Sequence, residues 1–378
     1  MKKIKVIHIH TDIKFIFDSA RFEGDEFDNT IIIFEKKEHY KGVYKDTALY
    51  YNFSRKDFQQ IIRLSKSADM VVLYDLNFPK AYIANRLPSS VKVIWRFFGL
   101  ELYGQMPDYV FSTQTAKALA EGIKKYDFLY FRNKLALFYN FMRYKTAVKD
   151  EFERAAFKRI DYFLGLSQVE YEFLKGYWPQ LPSFMQISYN QHTVINNFKK
   201  IKSNLIIIGN NRSAYNNHLD IIEGLKRAKS RNNYEFLLLF NYGQNNAYTD
   251  IVKQKAAEVK EIKILDDFLP LEKFKLIYSD ADALVMNGHR QMAMANVFEA
   301  LRKNTKIYLN IKNSIFGWLK EEGFRVFTIN DFYADLDTNV LSLTEADVII
   351  NQEQLVKFTS KFSKQIFQST LVEIINNN

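Results

Sequence analysis

Leu205-Ile206-Ile207-Ile208-Gly209-Asn210-Asn211-Arg212-Ser213 is four branched aliphatic residues running into a glycine and a polar turn. A helical pattern follows over Leu219–Lys229. A short apolar run bounded by turn residues and followed by helical spacing reads as a buried strand feeding a covering helix. The same grammar continues downstream. Strands are expected at Tyr234–Phe240, Ile262–Leu265, Ala283–Met286, Lys306–Leu309 and Val326–Ile329. Helices are expected at Asp250–Lys260, Leu271–Asp280 and Gln291–Arg302. Upstream, strands are expected at Lys5–Ile9, Asn29–Phe34, Met70–Tyr74, Val91–Trp95 and Tyr162–Leu166. Helical spacing covers Phe58–Ser67, and Ser167 is placed to cap a helix over Val169–Lys175. Alternation of this kind builds a parallel sheet covered by helices.

The chain has 378 residues, which suggests two domains or three. Pro179, Pro182 and a polar stretch to Asn204 break the pattern, so residues 179–204 read as the link. The expected division is 1–190, 191–350 and a helical tail over 351–378. Cysteine is absent, which excludes disulfide frameworks, thiolate metal sites and cysteine nucleophiles. Only 13 Gly and 6 Pro argue against a loop-rich all-β protein. The N-terminal Met1–Phe15 has a basic start but no apolar core of a signal peptide, and no window resembles a spanning helix. A cytoplasmic location, or one on the inner membrane face, is the expectation. The net charge of +10 favours an anionic partner. Residues 115–160 carry much of it, with eleven basic against five acidic residues among many Phe, Tyr and Leu. That mixture suits an interfacial helix on anionic lipid, and equally a solvated basic face. No nucleic acid is expected, because no RNA- or DNA-binding motif accompanies it.

Two constellations stand between an expected strand and an expected helix, where α/β proteins bind ligands. The first is Gly209-Asn210-Asn211-Arg212 through His218. Free N–H groups at a helix start and the Arg212 guanidinium both suit a diphosphate. An Asn-rich turn has the same composition. The second is Asn287-Gly288-His289-Arg290-Gln291, followed by the small residues Ala293 and Ala295. Arg290 and Gln291 fall at the expected helix start, and Glu299 reads as a ribose acceptor or a solvated charge. Neither segment is a P-loop or a GxGxxG fingerprint. In the first half, Asp12 follows strand one, where a base for an acceptor hydroxyl is wanted. His8 and His10 share one face of that strand. Glu101 is the only carboxylate in Trp95–Tyr103, whose aromatics can stack on sugars or pack. No convincing metal site is found: HExxH is missing, and Asp280-Ala-Asp282 reads as a loop with one capping Asp. GxSxG is missing as well.

Two α/β domains with a helical tail follow the plan of the GT-B fold, two Rossmann-like domains facing a cleft. Several motifs resemble glycosyltransferase family 56, the TDP-4-acetamido-4,6-dideoxygalactose transferases of enterobacterial common antigen synthesis. Val6-Ile7-His8-Ile9 with Asp12 resembles that family's opening strand. Trp95, Gly99 and Tyr103 match a Trp…Trp-Gly-x-Asp-Leu-Tyr motif, with Glu101 in place of its Asp. Gly209-Asn210 with Asn217-His218 resembles the family's Gly-Asn-Ser…Asn-x-His. Tyr242-Gly243 with Asn245, Asn246 and Tyr248 resembles its Gly-Tyr-Pro-Pro-Asn-Asn-x-x-Tyr, and Arg290-Gln291 its Arg-Gln pair. Asn310 and Phe316-Gly317-Trp318 match more loosely. Ala293 and Ala295 stand where the family has Gly, and Glu299 where it is apolar.

The resemblance implies a metal-independent, cofactor-free transferase. Its nucleotide-sugar donor, a dTDP-deoxyamino sugar, would be held by Gly209, Asn210, Asn211, Arg212, His218, Tyr242, Gly243, Arg290 and Gln291. It also implies a polyprenyl-diphosphate oligosaccharide acceptor held by Trp95 and Tyr103, with Asp12 and then Glu101 as catalytic carboxylates, and attachment to an anionic membrane surface. GDP-fucose or a UDP-sugar are alternative donors. A non-catalytic protein docking on membrane or nucleic acid is the alternative of another class.

Overall fold

The computed structural model describes residues 3–123, 127–189 and 203–376. The chain forms two compact units: Met1–Glu101, Phe128–Asn190 and Lys361–Asn378 in one, Leu102–Asp127 and Gln191–Ser360 in the other.

The first unit is built on seven parallel strands: β1 Ile4–His10, β2 Phe27–Ile33, β3 Leu49–Tyr50, β4 Met70–Tyr74, β5 Lys92–Arg96, β6 Tyr162–Gly165 and β7 Ser183–Gln186. Their order is β3-β2-β1-β4-β5-β6-β7. Every residue of β4 is buried, and so is every residue of β1 but Lys5, with Val6, Ile9, Val71, Val72 and Leu73 at zero exposure, as expected of parallel strands covered on both faces. The helix Arg55–Ser65 starts where Ser54 Oγ accepts the Asp57 N–H at 3.0 Å, and it buries Phe58, Ile61 and Ile62. Chain order reverses between β1 and β4. The loops after those two strands therefore part and open a crevice at the carboxyl edge.

The second unit repeats the logic with six parallel strands: β8 Leu205–Ile208, β9 Glu235–Leu239, β10 Ile262–Leu265, β11 Ala281–Met286, β12 Lys306–Leu309 and β13 Phe327–Thr328. Their order is β10-β9-β8-β11-β12-β13, so its reversal falls between β8 and β11. Its core joins Ile206, Ile208, Phe236, Leu238 and Val285 of the strands to Ile222, Leu225 and Val252 of the helices.

Several expectations need correction. The stretch read as a link contains β7, which pairs Tyr162↔Ser183 through Gly165↔Gln186. Alternation is weak in so short an edge strand, and the two prolines mask it. Residues 190–202 of that link lie outside the described residues. The contiguous division does not describe the packing. Residues 102–127 belong to the second unit, where Ala118 of the helix Thr113–Ile123 enters the core. The tail is two helices, Glu345–Lys361 and Lys364–Asn376. The last one returns to the first unit and buries Phe367 and Leu371 beside Val6 and Phe22. Asp282 is no loop cap: it lies inside β11, and its carboxylate takes the Asn204 N–H at 2.8 Å. The helix expected from Gln291 begins at Met294.

Candidate functional site

Both constellations of the second unit flank its switch point, one after β8 and the other after β11. Gly209 follows β8 at φ +68°, a left-handed conformation that a Cβ disfavours. A Cβ there would also meet the His218 ring at 3.0 Å. The two loops are laced together by amides. Asn217, itself left-handed at φ +50°, donates to Val110 O at 3.0 Å and Asn287 O at 3.4 Å and accepts the Ser112 N–H at 2.9 Å. Asn287 donates to Asn217 O at 3.2 Å and accepts from Asn310 at 2.7 Å. Asn313 donates to Gly288 O at 2.9 Å. An amide both donates and accepts, which is why asparagines can tie two loops that run side by side.

Within this frame Arg290 is buried, with its guanidinium 4.6 Å from the Tyr215 ring and 6.0 Å from the Tyr103 ring. It donates to Gln291 O at 3.1 Å. The helix Met294–Arg302 begins just beyond, with no side-chain cap and no acid in its first turn. Its positive pole is thus open to an anion. Ala293, the residue before it, holds φ +54°. His289 is buried, and its Nδ1 pairs with Tyr109 O at 2.7 Å.

Asn210 is buried and donates to Tyr242 OH at 3.1 Å; Asn211 donates to the same oxygen at 2.9 Å. Asn210 Oδ1 and Asn241 Oδ1 are both buried with no hydrogen-bond partner. Such acceptors, costly in a closed interior, fit a ligand's N–H or O–H.

Four residues are placed differently from expectation. Arg212 is committed to partners within the protein surface. It donates to Gly243 O at 2.9 Å and to Asp266 Oδ1 at 2.8 Å, and Asp266 also binds Lys253 at 2.6 Å. To reach a phosphate it must first leave that network. Gly243, at φ +109°, is packed against Arg212, so it shapes the loop. His218 is fully buried beside Tyr248 OH at 3.2 Å, and burial pulls its pKa down to about 3. It is a neutral ring supporting Gly209, with no charge to offer a diphosphate. Glu299 pairs with Arg302 at 3.2 Å.

In the first unit, Asp12 is exposed just past β1 and accepts the Lys14 N–H at 2.9 Å. His8 and His10 are core residues. His8 bridges Tyr74 OH at 3.0 Å and Asn29 at 2.9 Å, and His10 pairs with Ser19 Oγ at 2.8 Å. Trp95 is fully buried and stacked on Phe157, so it has no face left for an acceptor. Its indole N–H donates to Glu101 at 3.3 Å, and burial raises the Glu101 pKa against the pull of the Phe98 N–H and Trp95. Tyr103 is buried and belongs to the second unit, beside Arg290, so the Trp95–Tyr103 motif is divided between the two units. Sequence reasoning missed Lys80, a fully buried ammonium at the carboxyl edge of β4. A single Lys in a helical run has no pattern that announces burial. Among the described residues no group of three or more His, Asp or Glu is arranged to hold a metal ion.

Comparison with known proteins agrees with this architecture. No protein-family model matches the sequence, and no curated protein does. Among solved structures, the N-terminal domain of Candida albicans trehalose-6-phosphate phosphatase aligns over 99% of this chain and 96% of its own, at 10% identity and TM-score 0.63. Anabaena HepE, solved with UDP and glucose, aligns over 99% and 100%, at 10% identity and TM-score 0.63. The UDP-forming trehalose-phosphate synthase of Burkholderia vietnamiensis aligns over 100% of both chains, at 9% identity and TM-score 0.61. Likeness at such identities is likeness of fold. The chain has an α/β fold of the GT-B type, with two Rossmann-like parallel sheets.

Proposed function

We propose that this protein is a glycosyltransferase that binds a nucleotide-sugar donor at the β8/β11 switch point of its second unit. The observation that carries the reading is Arg290. A buried guanidinium lies against Tyr215, beside an uncapped helix start, where two loops meet at the carboxyl edge of a parallel sheet. Cation, helix pole and place in the fold all suit the diphosphate of a donor. Structural neighbours solved with UDP support a nucleotide there.

In the reaction, the acceptor oxygen bonds to the anomeric carbon and the bond from that carbon to the phosphate oxygen breaks. Its electron pair leaves with the nucleoside diphosphate, and the acceptor's proton passes to a carboxylate. Arg290 and the helix pole stabilise the charge on the leaving group. Asp12 is the carboxylate we assign to the attacking hydroxyl, because it is exposed beside the first unit's switch point. Glu101, with its carboxyl oxygen Oε2 buried, is the second candidate.

For the substrates we adopt those of the family resemblance: a deoxyamino sugar on dTDP, and an oligosaccharide on polyprenyl diphosphate. The helix Asp127–Tyr144 supports a peripheral membrane site. Leu135, Leu137, Phe138, Tyr139, Phe141 and Met142 are exposed on it, with Arg143 at its end. Apolar side chains with flanking cations suit an anionic lipid surface. Calorimetric titration with dTDP, UDP and GDP tests the donor reading. Preference for dTDP supports the deoxyamino sugar. Preference for UDP or GDP keeps the transferase and changes its donor, and the UDP-bound neighbours favour UDP as that second reading. Binding of none removes the proposal.

A further inference from the structure

The carboxyl edge of the first unit holds a side-chain cluster that the reading above leaves without a task. Lys80, on the helix Phe78–Ala84, is fully buried. Its ammonium donates to Asp75 Oδ1 at 2.7 Å, to Thr11 Oγ1 at 2.6 Å and to Tyr74 O. Thr11 donates to Asp75 Oδ2 at 3.1 Å and accepts from Asn77 Nδ2 at 2.8 Å. Asp75 follows β4 and holds φ +66°; its N–H donates to Arg96 O at 3.0 Å. The Asp75 side chain is 22% exposed, so it reaches solvent while its Lys80 partner does not.

Two costs meet here. An ammonium without water is expensive, and apolar replacement of such a pair is often neutral. The left-handed region is costly for most residues other than glycine, though less so for an aspartate. Strain and buried charge persist together mainly where a site needs them. Both fall where β1 and β4 part, the place at which open parallel sheets receive ligands. The outward group is a carboxylate, flanked by a hydroxyl and an amide. That surface repels phosphate and accepts hydroxyls.

We propose that Asp75 takes a hydroxyl of the acceptor sugar next to the attacking one, and that Lys80 is the residue that positions it; this rests on the glycosyltransfer reading above. Asp12 follows Thr11 directly in sequence, so the chain places one carboxylate beside each parted strand. The charged and titratable groups that face Lys80 are Asp75, Glu101, Asp12 and His10. Asp75 and Lys80 are the pair in direct contact.

The test uses the full chain with a labelled backbone and reads amide shifts. Methyl glycosides of glucose, galactose and N-acetylglucosamine are titrated into it, along with their monodeoxy analogues. At least one glycoside is expected to shift Thr11, Asp12 and Asp75. One of its deoxy analogues is expected to bind about tenfold more weakly, the worth of a hydrogen bond to a charged group. The double variant Asp75→Asn with Lys80→Met leaves no unpaired buried charge and so keeps the fold testable. In that variant the parent glycoside should lose much of its advantage over the deoxy analogue, because an amide oxygen accepts a hydroxyl more weakly than a carboxylate does, while the analogue binds as before. Equal weakening of both sugars means a merely structural role and overturns the proposal. So does the absence of any shift with all three glycosides up to tens of millimolar. Nucleotide titration reads the second unit separately, so a failure of the donor reading is distinguishable from a failure here.

Discussion

At the residue scale, Arg290 and Ala293 carry the sharpest consequences. Arg290 is stacked against Tyr215, so its guanidinium is oriented before any ligand arrives. Arg290→Ala should weaken nucleoside-diphosphate binding by about 1.5–3 kcal/mol, roughly ten- to a hundredfold. Arg290→Lys should restore little, because an ammonium lacks the planar fork. Calorimetry decides it, and an unchanged affinity in the alanine variant would sink the assignment. Ala293 sits at φ +54° in a position where the resembled family has Gly. Relief of left-handed strain is worth about 1–2 kcal/mol, against about 0.4–1 kcal/mol of extra chain entropy for glycine. Ala293→Gly should therefore raise the denaturant midpoint slightly. A clear loss of stability would mean that the methyl group has a packing role. The Arg290-Gln291 pair was legible as a motif. The commitment of Arg212 to Asp266 was not, because the partner is 54 positions away and on another strand's loop.

At the element scale, strands and their order follow from different information. Runs such as Met70–Tyr74 and Leu205–Ile208 are apolar because both sheet faces are covered, and their shortness between turn residues marks them as strands. Their neighbours in the sheet depend on crossovers that local pattern does not record. The helix Asp127–Tyr144 shows the converse. Its sequence mixes cations and aromatics, and only the fold shows that the side chains from Leu135 to Met142 stand in solvent. If that surface meets lipid, Phe138→Ser with Phe141→Ser should reduce co-sedimentation with anionic vesicles several-fold and leave nucleotide binding unchanged. Equal sedimentation of variant and wild type would remove the membrane role.

At the scale of the whole molecule, buried histidines set the response to acid. Burial holds His8 at about 4 and His218 at about 3, both below the ordinary 6.5, and it also lowers His10 well below that value. The unfolded chain binds these protons near pH 6.5 while the folded protein refuses them. Their contribution to stability is therefore complete above pH 6.5 and is lost as pH drops, through about 4 for His8 and about 3 for His218. Each group costs about 1.4 kcal/mol per pH unit across its window, so the sum reaches several kcal/mol. Urea midpoints measured from pH 7 to pH 4.5 should decline steadily, and His218→Gln should flatten part of the slope. A level profile would mean that these rings take up protons in the folded state.

The sequence by itself determined the α/β class, most of the strands and the two loops of the second sheet. Those features rest on local spacing of apolar and turn residues, which is written in consecutive positions. Tertiary structure decided the rest. It moved residues 102–127 into the second unit and the last helix into the first, turned His218 into a neutral support, and buried Trp95. It also brought Lys80 and Thr11, 69 positions apart, to 2.6 Å. Burial and partnership are set by what the distant chain packs against each side chain, and no local spacing encodes that.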